Sequence, residues 1–224
     1  SFVQLGDRIM KRSMPSAQVA ESALNPLLRV NPTALAVAAA LFSPATLYAQ
    51  NLPTGLQTVK GAVTVSTPTP TSMQLNQTTQ NAGMTAQTFS IGSGHRVDVL
   101  QPGRSSVMVM DVLGGNVSSI FGTLTATGNF FLVNPAGVVF AHGAMVDVGG
   151  LVATTMPISY ADATSGRYVF KNTGNSGSVI NQGRITALNG YVGLFAPKVV
   201  NEGIIVARMG QVALAAGNQV TLDM

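Results

Sequence analysis

Cysteine and tryptophan are missing from this chain, and histidine occurs only as His95 and His142. The missing cysteine excludes disulfide frameworks, thiolate metal sites and cysteine nucleophiles. Charge is scarce as well: 9% of residues are charged, against about 25% in an ordinary globular chain. That excludes a charge-laced helical bundle or coiled coil, while 46% hydrophobic residues exclude a disordered chain. Runs of like charge are lacking too, with 12 Lys/Arg scattered against 8 Asp/Glu. A nucleic-acid binder needs a clustered basic face, so no nucleic-acid partner is expected. Long apolar runs do not occur either. The longest, Ala34–Phe42, falls well short of the roughly 20 residues needed to span a bilayer.

What is present divides at Ala49. Arg8, Lys11, Arg12 and Arg29 precede the apolar run, and the small-residue site Leu47-Tyr-Ala49 follows it, before Gln50. A basic segment, a short apolar segment and a small residue at the cut describe a secretory signal peptide. Residues 1–49 are therefore read as an extended signal, cleaved between Ala49 and Gln50, and residues 50–224 as the folded domain. The alternative, a buried alanine-rich helix, would be cut to barely two turns by Pro32 and Pro44.

The folded part repeats itself. With residues 179–198 laid over 199–218, Val179, Asn181, Gly183, Ile185 and Ala187 meet identical residues. So do Gly190, Val192, Leu194 and Ala196. Both groups fall on every second residue, and the phase shifts by one between them. Alternation at period two means strands with one buried face, and the phase shift means a corner. Matching faces every twenty residues describe one coil of a parallel β-helix. An earlier copy supports this: Gly122, Leu124 and Ala126, then Gly128, Phe130 and Leu132, match Gly183, Ile185, Ala187, Gly190, Val192 and Leu194. The expected fold is all-β, a β-helix with an N-terminal cap and Val192, Leu194, Val212 and Leu214 pointing inward. A period of twenty predicts about eight or nine rungs, or ~40 Å of solenoid. A β-sandwich has no reason for such a register. Pro68 and Pro70 cannot donate to a ladder, which suits the segment 64–72 to the cap. Thr221–Met224 stops directly after a rung, so the chain is expected to be the N-terminal piece of a longer protein.

Several stretches in colinear order carry a resemblance. They are Leu52-Pro-Thr-Gly-Leu-Gln-Thr-Val-Lys-Gly61, Met73–Thr79, Phe89-Ser-Ile-Gly92, Val97–Pro102, Gly114–Ser118, Ile120–Leu124, Gly128–Val138 and Val148–Ala153. In these the chain resembles the two-partner secretion domain of the filamentous haemagglutinin and high-molecular-weight adhesin exoproteins. The family's Asn-Pro-Asn-Gly turn reads Asn134-Pro-Ala-Gly137 here, its usual tryptophan is replaced around Ala86, and its Asn-Arg pair is Met110-Asp111. The resemblance implies a right-handed parallel β-helix, Sec-dependent entry to the periplasm, and a cognate outer-membrane transporter with periplasmic POTRA domains. It implies release at the surface of a Gram-negative bacterium and a role in adhesion. Host receptors or glycans would be bound through downstream regions.

Asn134, Pro135, Ala136, Gly137 and Val138 form the leading site candidate: Pro135 fixes φ and Gly137 permits φ > 0, a turn at a rung corner. The family's reading ties this motif to secretion. Gln101-Pro102, Gly114-Gly115 and Gly128 are read as supporting turns. Asn181 and Asn201 share a rung position, as a ladder bonding turn backbone would. Secreted β-helix enzymes on acidic glycans need converging carboxylates. Here Asp98, Asp111, Asp147, Asp162, Glu202 and Asp223 each lie more than ten residues from the next. No enzyme activity, cofactor or metal is therefore expected. A passenger exported by another route is the remaining alternative. Exported protein should begin at Gln50, which N-terminal sequencing checks; a start near Ser1 would refute the signal.

Overall fold

The computed structural model describes residues 52–165, 167–174, 177–188, 190–208 and 210–223. The signal segment and the Ala49–Gln50 cleavage site lie outside the described residues. The chain first runs backwards. Thr54 bridges Thr88, β1 (Gln57–Lys60) lies antiparallel to β4 (Asn81–Ala86), and β2 (Val63–Thr69) lies antiparallel to β3 (Ser72–Gln77). Direction reverses at Pro70-Thr71, and from β3 onward the solenoid strands stack in parallel.

Three faces result. The first holds β3, β5 (Arg96–Leu100), the first half of β8 (Thr123–Val133), the first half of β10 (Met145–Thr154), β13 (Arg184–Ala187) and β16 (Ile204–Ala207). The second holds β4, β6 (Val107–Val112), the second halves of β8 and β10, β14 (Val192–Ala196) and β17 (Val212–Ala216). The third starts at Ile91, bridged to Ile120, and continues through β7 (Ser118–Ile120), β9 (Val138–Phe140), β12 (Ser178–Asn181) and β15 (Lys198–Asn201). Two further strands, β11 (Arg167–Lys171) and β18 (Gln219–Asp223), pair antiparallel with each other.

Among the described residues the solenoid makes six turns, not eight or nine. Ser72, Arg96, Thr123, Met145, Arg184 and Ile204 stack in sequence, at spacings of 24, 27, 22, 39 and 20 residues. The period of twenty thus holds only for the last interval. Longer corners consume chain in the early turns, the reversed cap consumes more, and the fourth turn carries an insertion between β10 and β12. That insertion includes a short helix, α1 (Tyr160–Ser165), which the alternating pattern did not foretell. Ser159 caps it: the Ser159 hydroxyl accepts from the Asp162 N–H at 3.0 Å and donates to its carboxylate at 2.6 Å.

Inside the coil, side chains of like position stack in columns. Leu124, Val146 and Ile185 form one, Phe130, Leu151 and Val192 another, and all six are buried. Each such side chain stabilises the fold by about 1.5–3 kcal/mol through removal from water. Val212 and Leu214 stack on Val192 and Leu194 as the repeat requires. Yet they are 46% and 45% exposed rather than enclosed. They sit in the sixth turn, where only the fifth lies against them.

The corner between the first and second faces has almost no room. Gly128, Gly149, Gly190 and Gly210 occupy it in consecutive turns. A Cβ on Gly149 would lie 2.7 Å from the carbonyl oxygen of Gly128, and one on Gly190 or Gly210 would strike the carbonyl of the glycine before it. Gly149→Ala should therefore lower stability by about 1–3 kcal/mol in urea denaturation. Gly103→Ala, where nothing lies within 4 Å, should stay within about 0.5 kcal/mol of the parent.

Candidate functional site

The Asn134–Val138 segment turns the chain from the second face into the third. Its hydrogen bonds are local and between turns. The Gly137 N–H donates to the Asn134 carbonyl at 2.9 Å, and the Ala136 N–H donates to Asn134 Oδ1 at 2.9 Å. Gly137 has φ 126°, the positive value expected for it. Asn134 Nδ2 reaches back to the second turn, donating to the Asn116 carbonyl at 2.8 Å and to Ser118 Oγ at 2.9 Å. The Gly137 carbonyl accepts the Ser118 N–H at 3.0 Å. Toward the fourth turn, the Asn134 N–H donates to the Thr154 carbonyl at 2.9 Å, and the Gly177 N–H donates to the Pro135 carbonyl at 2.7 Å.

Burial divides the motif. Asn134 and Val138 are fully enclosed, and only Pro135 and Ala136 are partly open to solvent. Asn134 is thus a joint between three turns. Replacing it by Ala strands buried groups at about 1–3 kcal/mol each, so the loss falls on stability as well as on any surface role.

Of the supporting turns, Gln101 is a buried corner amide. Its Oε1 accepts the Gly128 N–H at 2.7 Å, and its Nε2 donates to Gln77 Oε1 at 3.2 Å and the Asn129 carbonyl at 3.4 Å. Gln77 in turn donates to the carbonyls of Thr79, Gln80 and Val107. Pro102 is exposed beside it. Gly114 packs where a Cβ would strike the Gln87 carbonyl of the previous turn, and Gly115 follows at φ 73°. Gln77, Asn116 and Ser118 lie in stretches that carry the family resemblance without being singled out there as site residues, and Gly177 lies in none; each matters only through the neighbouring turn. Asn181 donates to Asn201 Oδ1 at 2.8 Å and accepts the Gly183 N–H at 3.1 Å, a ladder bonding turn backbone, although Asn201 itself is exposed.

The described acids do not converge. Asp98 takes Arg96 Nε at 2.6 Å and the Thr125 hydroxyl at 2.5 Å. Thr125 separates it from Asp147, two turns away on the same outer column. Asp147 borders an open notch of about 250 Å³ with Leu100, Arg104, Thr127 and Leu188. His95 Nδ1 lies 3.0 Å from the Ser93 carbonyl, and His142 is exposed on the same corner two turns later. Asp111, half-buried on β6, has its carboxyl raised above the usual range by burial. A raised folded-state value means the native state holds its proton more tightly, so stability falls as pH rises through that value from 3.8 upward. Asp111→Asn should raise the urea midpoint modestly at pH 7 and lose that advantage near pH 3.

Comparison with known proteins agrees with this architecture. The crystal structure of the HMW1 secretion domain from Haemophilus influenzae superposes with a TM-score of 0.71 at 27% identity, covering 75% of this chain and 46% of that one. The filamentous hemagglutinin secretion domain gives 0.56 at 17% identity, over 75% of this chain and 65% of that one, a likeness of fold. A heme/hemopexin-binding protein of Haemophilus influenzae is 35% identical over 185 residues, 79% of this chain and 20% of that protein. Another of the same description and species is 35% identical over 127 residues, 57% of this chain and 14% of its own length. The chain therefore spans a fifth or less of these relatives. The TPS secretion domain model matches residues 49–223, the six-turn solenoid together with its reversed cap, and the chain belongs to this family as the secretion domain of a two-partner secretion exoprotein.

Proposed function

We propose that this domain is recognised by its cognate outer-membrane transporter and that the Pro135-Ala136 knuckle is part of the recognised surface. The supporting observation is the asymmetry within the motif. Asn134 and Val138 anchor the folded motif from inside, while Pro135 and Ala136 alone reach solvent, so the fold makes little use of these two side chains and they are free to serve a partner that reads the chain before it folds. In this reading the chain enters the periplasm unfolded through the Sec machinery and meets the POTRA domains of the transporter. It then folds outside, turn upon turn. Each turn needs only its neighbour, so stacking proceeds along the chain. Burial of apolar surface at about 25 cal/mol per Å² gives the outward movement a direction without a nucleotide. Host receptors or glycans are bound by other regions of the exoprotein, and this domain turns over no substrate.

Two surface variants test the contact without disturbing the joint. Pro135→Ala and Ala136→Glu should keep the stability measured by urea denaturation within about 1 kcal/mol of the parent. Export with the transporter present should fall severalfold, as should binding of the unfolded chain to the isolated POTRA domains. Unchanged export and binding would reduce the motif to a structural turn. Unchanged export after deletion of the transporter gene would remove the transporter reading altogether and favour a passenger exported by another route.

A further inference from the structure

The second face of the solenoid is apolar on its outer side too. Val107, Val109, Phe131, Val133, Val152 and Phe195 are buried there, away from the bore. What covers them comes from two distant segments. The insertion crosses this face from the first turn to the fifth. A Cβ on Gly83, in the first turn, would come within 2.9 Å of the Tyr160 ring. Tyr168 lies 5.2 Å from Phe131 of the third turn, and Phe170 lies 5.1 Å from Phe195 of the fifth, centroid to centroid.

Among the described residues β11 has one pairing partner, β18, and β18 has only β11. Arg167 stands opposite Asp223, and Lys171 opposite Gln219. The fifth and sixth turns lie between the two strands in sequence. Those turns also position β18: the Gly217 N–H donates to the Ala196 carbonyl of the fifth turn at 3.1 Å. At the open end of the ribbon the Asn172 N–H donates to the Asn218 carbonyl at 2.8 Å, and the two side-chain amides meet at 3.1 Å. An isolated two-stranded ribbon is marginal in water, so neither strand holds its place without the other and the apolar face beneath.

We propose that the β11–β18 ribbon is a latch, closing after the six turns have stacked and locking them together along the second face. For the order in which segments become available the latch rests on the export reading above; the mutual dependence of the two strands does not. Until β18 arrives the insertion has no partner strand, and Phe131, Val152 and Phe195 lack their full cover. Once the latch closes, the later turns cannot peel away without first opening it.

Hydrogen–deuterium exchange of the purified full chain, read peptide by peptide, tests this. Antiparallel pairs alternate, so the Asn172–Asn218 bond places Phe170–Val220 among the hydrogen-bonded pairs. Val220→Pro removes a donor there and should speed exchange across 158–171 at least tenfold, while 72–112 keep parental protection. Phe170→Ala should do the same at 219–223, about fifty residues away along the chain. Parental protection of 167–171 in Val220→Pro, or of 219–223 in Phe170→Ala, would overturn the latch. Should Val220→Pro fail to fold, Phe170→Ala decides alone. Exchange raised equally over all six turns would also overturn it, since no separable unit would exist. None of these measurements involves the transporter, so failure of the export reading leaves their outcome unchanged.

Discussion

Backbone-to-backbone contact at one corner sets the terms for the rest of this domain. Where the first face meets the second, Gly128, Gly149, Gly190 and Gly210 rest each on the carbonyl of the turn before. Neighbouring turns stay in phase because nothing larger fits there. With that corner fixed, Leu124, Val146 and Ile185 fall into one interior column, and the inward and outward faces of every strand follow. Most variation is displaced elsewhere. The corner between the third and first faces lengthens at Ser93-Gly94 and at His142-Gly143, and the large insertion leaves after β10 and returns at Gly177. A glycine is kept at the first-to-second corner in every turn from the third onward, although that corner too grows, from two residues between Val148 and Leu151 to four between Ala187 and Val192.

The first two turns solve the same corner differently. There the buried amides of Gln77 and Gln101 fill the space, and Gln101 hands its oxygen to the Gly128 N–H just where the glycines begin. A polar plug thus gives way to bare backbone. Both arrangements satisfy the corner's peptide groups, one through side chains and one through close stacking. The Asn134 turn does comparable work at the next corner, joining the second, third and fourth turns through a single side chain and its backbone.

How much of this was legible in the sequence follows from which contacts repeat. Val179, Asn181, Ile185, Val192 and Leu194 each have an identical residue twenty positions on, and those pairs stand opposite one another in the structure. Alternation along 122–132 was legible for the same reason. The early turns, spaced 24, 27 and 22 residues apart, have no common period, so the link from Asn134 to Ser118 had no signature. The second hydrophobic layer left a weaker trace. Val107–Met110, Phe130–Val133 and Leu151–Ala153 are unbroken apolar runs, as strands buried on both sides are, rather than alternating ones. Nothing local in 155–177 says that this segment covers them, because its partner strand lies across two further turns. Asn134 reads as a turn residue, while its burial depends on Asn116 and Gly177, which pack on either side of the motif from the second and fourth turns.

The reversed opening circuit gives the rod a polarity. β2 and β1 lie antiparallel across the starting edges of the first and second faces, and Thr54 bridges Thr88 just before the third, so a parallel strand arriving at either of those two edges finds the register of its hydrogen bonds already taken by a strand of opposite sense. Their outer side is mostly polar, and Pro68 and Pro70 remove donors at its far end. At the opposite extreme β16 and β17 of the sixth turn present, on the first two faces, the same parallel ladder that earlier turns offered their successors. Growth by stacking is therefore one-directional, like a thread wound from a knotted end. Two copies cannot meet head to head at the capped face by the contact that builds the rod.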